Sequence, residues 1–146
     1  MKILVLNGPN LNMLGVREPE IYGKTGYDTL CKCIYEEAGV LGIDVEIHQS
    51  NYEGKLIDLI QQAYGAFDGI VINPAAYTHY SIALLDALKA VGLPAVEVHI
   101  SDIHKREDFR RHSVTASACI GQIYGKGIKG YAIALNMVKE YIEKNK

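Results

Sequence analysis

Gly69-Ile70-Val71-Ile72-Asn73-Pro74 is the stretch that decides the fold. Its apolar residues follow one another with no polar alternation, and Asn73-Pro74 stops them. A strand with one face in water alternates apolar and polar side chains. One that does not alternate is covered on both faces, which is the situation of a parallel sheet packed between helices. Upstream, Lys2–Leu6 is a second apolar run, ended by the turn Asn7-Gly8-Pro9. Leu30, Ile34, Ala38 and Leu41 then recur at helical spacing over 29–41, and Gly42 closes that helix. Ile43, Val45 and Ile47 alternate with polar residues as a half-buried strand does.

Downstream, Ser50-Asn51-Tyr52-Glu53 has the spacing of a capping box and opens a helix carrying Leu56, Leu59, Ile60 and Ala63 on one face. After Pro74 the pattern predicts a helix from about 78 to 90, punctuation at Gly92 and Pro94, and a fourth strand over 95–100. A fifth strand over 119–124 and a terminal helix over 128–142 complete the chain. Five strands, each but the fourth followed by a helix, imply an α/β three-layer sandwich with a parallel sheet. Right-handed crossovers favour the flavodoxin-like order 2-1-3-4-5. With no repeat or linker, residues 1–146 are expected to be one catalytic domain.

Composition bounds the function. Hydrophobic residues at 49% and charged residues at 22% are those of a globular protein, and a net charge of −2 without a basic stripe excludes a nucleic-acid partner. No apolar run is long enough to span a bilayer, and 1–6 reads as a strand rather than a leader. Three cysteines give no disulfide framework, so a reduced, cytoplasmic protein is expected. Cys31 and Cys33 sit two apart on a helix and face different ways, so they are structural.

In such sheets ligands bind beyond the carboxyl ends of the strands, near the reversal of strand order. The residues delivered there are strongly polar. Strand one leads to Asn7, Asn10 and Asn12, then Arg17 and Tyr22 in a long loop that is expected to act as a lid, mobile over an empty site. Strand three leads to Asn73, Tyr77, Thr78 and His79. Strand four ends in Glu97-Val98-His99-Ile100-Ser101, before His104, Arg106, Arg110, Arg111 and His112. Strand five ends at Gly125-Lys126-Gly127. A rim built only for stability does not need so many Arg and His together.

Four segments carry a resemblance: Asn7-Gly-Pro-Asn-Leu-Asn-Met-Leu-Gly-Val-Arg-Glu-Pro-Glu-Ile-Tyr-Gly23, Asn73-Pro-Ala-Ala-Tyr-Thr-His79, Glu97-Val-His-Ile-Ser101 and His104-Lys-Arg-Glu-Asp-Phe-Arg-Arg-His-Ser113. Together, in this order and separation, they resemble type II 3-dehydroquinate dehydratase. The resemblance implies trans elimination of water from 3-dehydroquinate, giving 3-dehydroshikimate in the shikimate pathway, through an enolate and with no Schiff base, metal or other cofactor. On it, Tyr22 is the phenolate base, Arg17 its stabilising cation, and Asn10 the holder of the water that steadies the enolate. His99, oriented by Glu97, is the acid for the departing hydroxyl. Asn73, His79, Ile100, Ser101 and Arg110 grip the substrate, with Arg106 beside them, and Asp86 reaches substrate across a subunit boundary. The family's dodecamer, a tetramer of trimers, is implied as well. Ala75, Tyr80, Leu85 and Lys126 depart from the family pattern, Ala75 standing where Gly is usual.

The magnitudes agree. Lowering a tyrosine from ~10 to neutrality takes about three pKa units, roughly 4 kcal/mol, close to one cation at ~4 Å in an effective dielectric of ~20. Arg17 supplies such a cation and cannot lose its charge. Rival classes fit less well. A flavin or nucleotide binder needs a phosphate-cradling loop after strand one, and Gly8-Pro9-Asn10 lacks the glycine spacing. A metallohydrolase built on His79, His99 and His104 lacks paired carboxylates and a His-x-x-x-His helix. A non-catalytic oligomeric relative would not need Arg17, Tyr22 and His99 together.

Overall fold

The computed structural model describes residues 1–16, 18–22 and 25–146, with Pro19 and Tyr22 described in backbone only. Its strands are β1 (Lys2–Asn7), β2 (Asp44–Gln49), β3 (Gly69–Asn73), β4 (Ala95–Val98) and β5 (Gly121–Ile123). Its helices are α1 (Pro19–Tyr22), α2 (Tyr27–Leu41), α3 (Glu53–Gln62), α4 (Ile82–Val91) and α5 (Gly130–Lys144). The strands form one parallel sheet in the order β2-β1-β3-β4-β5, the flavodoxin-like order expected.

Alternation within each buried strand divides the core in two. Ile3, Val5, Val71, Val96 and Val98 face α2 and α5, meeting Leu30, Ile34, Ala134, Leu135 and Val138. Leu4, Leu6, Ile70, Ile72 and Ala95 face α3 and α4, meeting Leu56, Ile60, Leu84 and Leu88. Successive strand residues thus serve opposite layers, which is why the sequence shows no polar alternation there. Each fully buried aliphatic side chain contributes roughly 1.5–3 kcal/mol. β2, at the edge, is only half-buried, as its alternation foretold.

Several boundaries move. α4 begins at Ile82 rather than near residue 78, because Ala75–His79 form a separate 3-10 helix and Ser81 caps α4 by accepting from the Leu84 amide at 3.0 Å. β4 stops at Val98, β5 is confined to Gly121–Ile123, and α5 starts after a 3-10 turn at Gly127–Lys129. The capping box does not form. Ser50 Oγ accepts from the Tyr52 amide at 3.0 Å, and the Glu53 carboxylate accepts instead from Ser81 Oγ at 2.6 Å. Gly42 ends α2 at φ +68°, a left-handed closure that glycine adopts without penalty.

Candidate active site

Strand order reverses between β1 and β3, and there Asn7 pairs in register with Asn73. Gly8 follows with its amide on the Asn73 carbonyl at 2.8 Å. A Cβ on Gly8 would stand 2.6 Å from the Pro74 carbonyl oxygen, so only glycine lets the two chains come this close. Beyond them opens a cleft of about 630 Å³, including space open to solvent at its mouth. It is lined by Asn10, Asn73, Ala75, His79, His99, Ile100, Ser101, Arg106 and Arg110, with Leu11, Met13 and Leu14 as an apolar wall.

Glu97 and His99 share one side of the sheet because their spacing is two along an extended chain. Glu97 is 0% exposed and lies beneath His99, whose Nε2 is 2.8 Å from Glu97 Oε2. The carboxylate takes further bonds from Ser113 Oγ at 2.8 Å and Gln122 Nε2 at 2.7 Å on the same oxygen. Oε1 takes Thr78 Oγ1 at 3.0 Å and Thr115 Oγ1. Burial alone would raise this carboxyl's pKa, but the bonds from His99, Thr115 and Gln122 outweigh it and hold it at about 2. Glu97 is therefore an anion near neutrality, and His99 Nε2 must carry the hydrogen between them. Nδ1 is left as the ring atom able to exchange a proton with the cleft.

His79 is oriented the other way round. Its Nδ1 donates to the His112 carbonyl at 2.8 Å, leaving Nε2 for a ligand. Burial lowers its pKa, and His99 and Arg110 add to the lowering, so the ring is neutral and Nε2 accepts. Asn73 is buried and partly committed: Nδ2 donates to Tyr131 Oη at 2.9 Å and Oδ1 accepts from the Ala75 amide at 3.1 Å. One Nδ2 hydrogen remains for a ligand. Arg106 and Arg110 put two guanidinium groups on the wall, Arg110 steadied by Glu107 through Nε. The carbonyls of Ile100 and Ser101 accept from Gly127 and Gly125 at 3.1 Å. Among the described residues their own amides have no acceptor. Two cations and two such amides suit a carboxylate.

Asn10 lines the cleft in a left-handed conformation, φ +70°, with its amide on Asn51 Oδ1 at 3.0 Å. Ala75 is also left-handed, φ +52°, a conformation that glycine adopts without penalty and an L-residue does not. Arg17 and the Tyr22 side chain, with the mobility expected of their loop, lie outside the described residues. The backbone of α1 between them is described, and Glu18 approaches Arg106 at 3.6 Å, which sets this segment beside the cleft wall. Asp86 is on the exposed face of α4 and is not brought into this chain's cleft. His104 stays outside as well, against Asp102 and Tyr124. Thr115 and Gln122 escaped sequence reasoning. The available clue was a polar residue in the middle of β5, at the register position opposite Glu97.

The family model for class II dehydroquinases matches residues 1–139. The 3-dehydroquinate dehydratase of Clostridium acetobutylicum is 58% identical over 144 residues, covering 99% of this chain and 100% of that one. That of Thermotoga maritima is 54% identical over 143 residues, covering 98% of each. The crystal structure of type II dehydroquinase from Butyrivibrio crossotus superposes with a TM-score of 0.94 at 55% identity, covering 95% of this chain and 97% of that one. A 3-dehydroquinate dehydratase-like protein from Bifidobacterium longum, 33% identical, gives 0.72 and covers 98% of each chain. With the reversal-point cleft and the buried Glu97–His99 pair in place, these similarities establish that the chain belongs to the class II dehydroquinase family.

Proposed function

We propose that the cleft dehydrates 3-dehydroquinate by trans elimination, a hydro-lyase reaction of the shikimate pathway. The observation that carries this reading is His99, with Nε2 bound to an anionic Glu97 and Nδ1 left to exchange a proton in a cleft flanked by Arg106 and Arg110. The substrate carboxylate is taken by Arg110 with the Ile100 and Ser101 amides. Asn73 and neutral His79 take its hydroxyls, and Arg106 holds the neighbouring wall.

Tyr22, as a phenolate beside Arg17, removes the proton next to the ketone, and the electron pair passes into an enolate steadied by a water on Asn10. The enolate collapses, the carbon–oxygen bond breaks, and His99 Nδ1 gives its proton to the departing hydroxyl, releasing water. Tyr22 then loses its acquired proton and His99 regains one, which restores the starting state. Residues 1–146 act as one catalytic unit. Asp86, exposed on α4, is the group a neighbouring copy brings to the site, which supports the dodecamer of four trimers. Three free cysteines support a cytoplasmic location.

The test is turnover of 3-dehydroquinate before and after incubation with substrate plus borohydride. Unchanged activity is expected, since no lysine imine forms; inactivation would overturn the enolate mechanism.

A further inference from the structure

The donors around Glu97 come from three separate places in the chain. Thr78 lies on the 3-10 helix after β3, Ser113 and Thr115 precede β5, and Gln122 is on β5 itself, in register with Glu97. Thr78 and Thr115 are 0% exposed, as is Glu97. The hydroxyls also meet one another, Thr78 with Ser113 and with Thr115 at 2.7 Å each. Satisfying a buried charge needs enough donors, but it does not need them divided between both oxygens with an imidazole on one of them. Here Thr115 binds Oε1 while Gln122 and Ser113 share Oε2 with His99. Rotation of the carboxylate would break bonds at both ends.

We propose that Thr115 and Gln122 are positioning residues that clamp the Glu97 carboxylate from its two oxygens and so hold His99 with Nε2–H inward and Nδ1 toward the cleft. The clamp keeps donors on both Glu97 oxygens whatever the protonation state of His99, so the carboxylate keeps one orientation while the ring gives up and regains its proton. The other titratable groups that sense Glu97 are His79, from the 3-10 helix after β3, and the Cys119 thiol, whose ionisation its charge opposes. Both sit outside the clamp. The catalytic consequence rests on the proposed dehydration, whereas the orientation of the ring does not.

Gln122→Met and Thr115→Val each remove one donor at nearly constant volume. Each is expected to lower kcat about tenfold, a fraction of what general acid catalysis contributes. KM should stay within about twofold, because Arg110, Ile100 and Ser101 are untouched. Thr115→Ser, which restores the hydroxyl, should recover kcat. Independently of activity, 15N NMR at a pH where the His99 ring is deprotonated should show the single Nε2–H tautomer in the parent and a mixture in the variants. The Glu97 carboxyl should titrate about one unit higher in each. A folded Gln122→Met protein with parental kcat and a single tautomer would overturn the proposal, and it decides the matter should Thr115→Val fail to fold. Altered tautomers in a chain without dehydratase activity would uphold the clamp and sink the functional reading instead.

Discussion

Replacing Glu97 with Gln removes the buried charge while keeping the shape. The amide oxygen can stay on the His99, Ser113 and Gln122 side, and the NH2 can donate to Thr78 and Thr115, whose hydroxyls turn to accept. The folded carboxyl sits at about 2 against an ordinary value of 4.5. At 1.36 kcal/mol per unit, that displacement is worth roughly 3 kcal/mol of stability for a fully buried group. The pKa is depressed on folding, so the contribution is complete above pH 4.5 and is lost as pH falls toward about 2. Urea unfolding of parent and Glu97→Gln across pH 7 to 2.5 measures it. The stability difference should be about 3 kcal/mol at pH 7 and shrink steadily below pH 4.5. A difference that stays constant through that window would refute the claim that the hydrogen-bond cage keeps Glu97 ionised.

Ala75→Gly should stabilise the fold. A left-handed L-residue costs roughly 1–2 kcal/mol, and the added chain entropy of glycine offsets about half of it, leaving a gain of about 0.5–1 kcal/mol seen as a rise in Tm. Gly8→Ala should do the reverse, by about 2 kcal/mol or more, since the new methyl meets the Pro74 backbone and not a yielding side chain. Its urea midpoint should fall, and an unchanged midpoint would contradict the tight β1–β3 approach. Tyr22→Phe should reduce turnover at least a hundredfold with unchanged circular dichroism, the scale of a lost general base; near-parental activity would remove Tyr22 from that role.

Strand order and layers were legible because β1 and β3 are apolar on both faces, and the two cores use alternate residues of the same strands. Local signals failed where a distant partner competed. Glu53 left the expected capping box for Ser81, twenty-eight residues on, and the start of α4 moved because Ser81 caps it. The cleft residues after β3 and β4 were legible as a concentration of polar groups at strand ends. The cage under His99 was not, because its donors at positions 78, 113, 115 and 122 converge only once β5 is laid beside β4. Asn73 was read as a substrate group alone, yet it also joins a buried chain through Tyr131 to Asn7, with Tyr131 Oη donating to Asn7 Oδ1 at 2.6 Å. Nothing along the sequence links residues so far apart.

The most direct test of the account is the ultraviolet absorbance of the purified protein mixed with 3-dehydroquinate. Growth of the conjugated enone band of 3-dehydroshikimate, at a rate proportional to protein concentration, is the predicted result. Folded protein that leaves 3-dehydroquinate unchanged would contradict it.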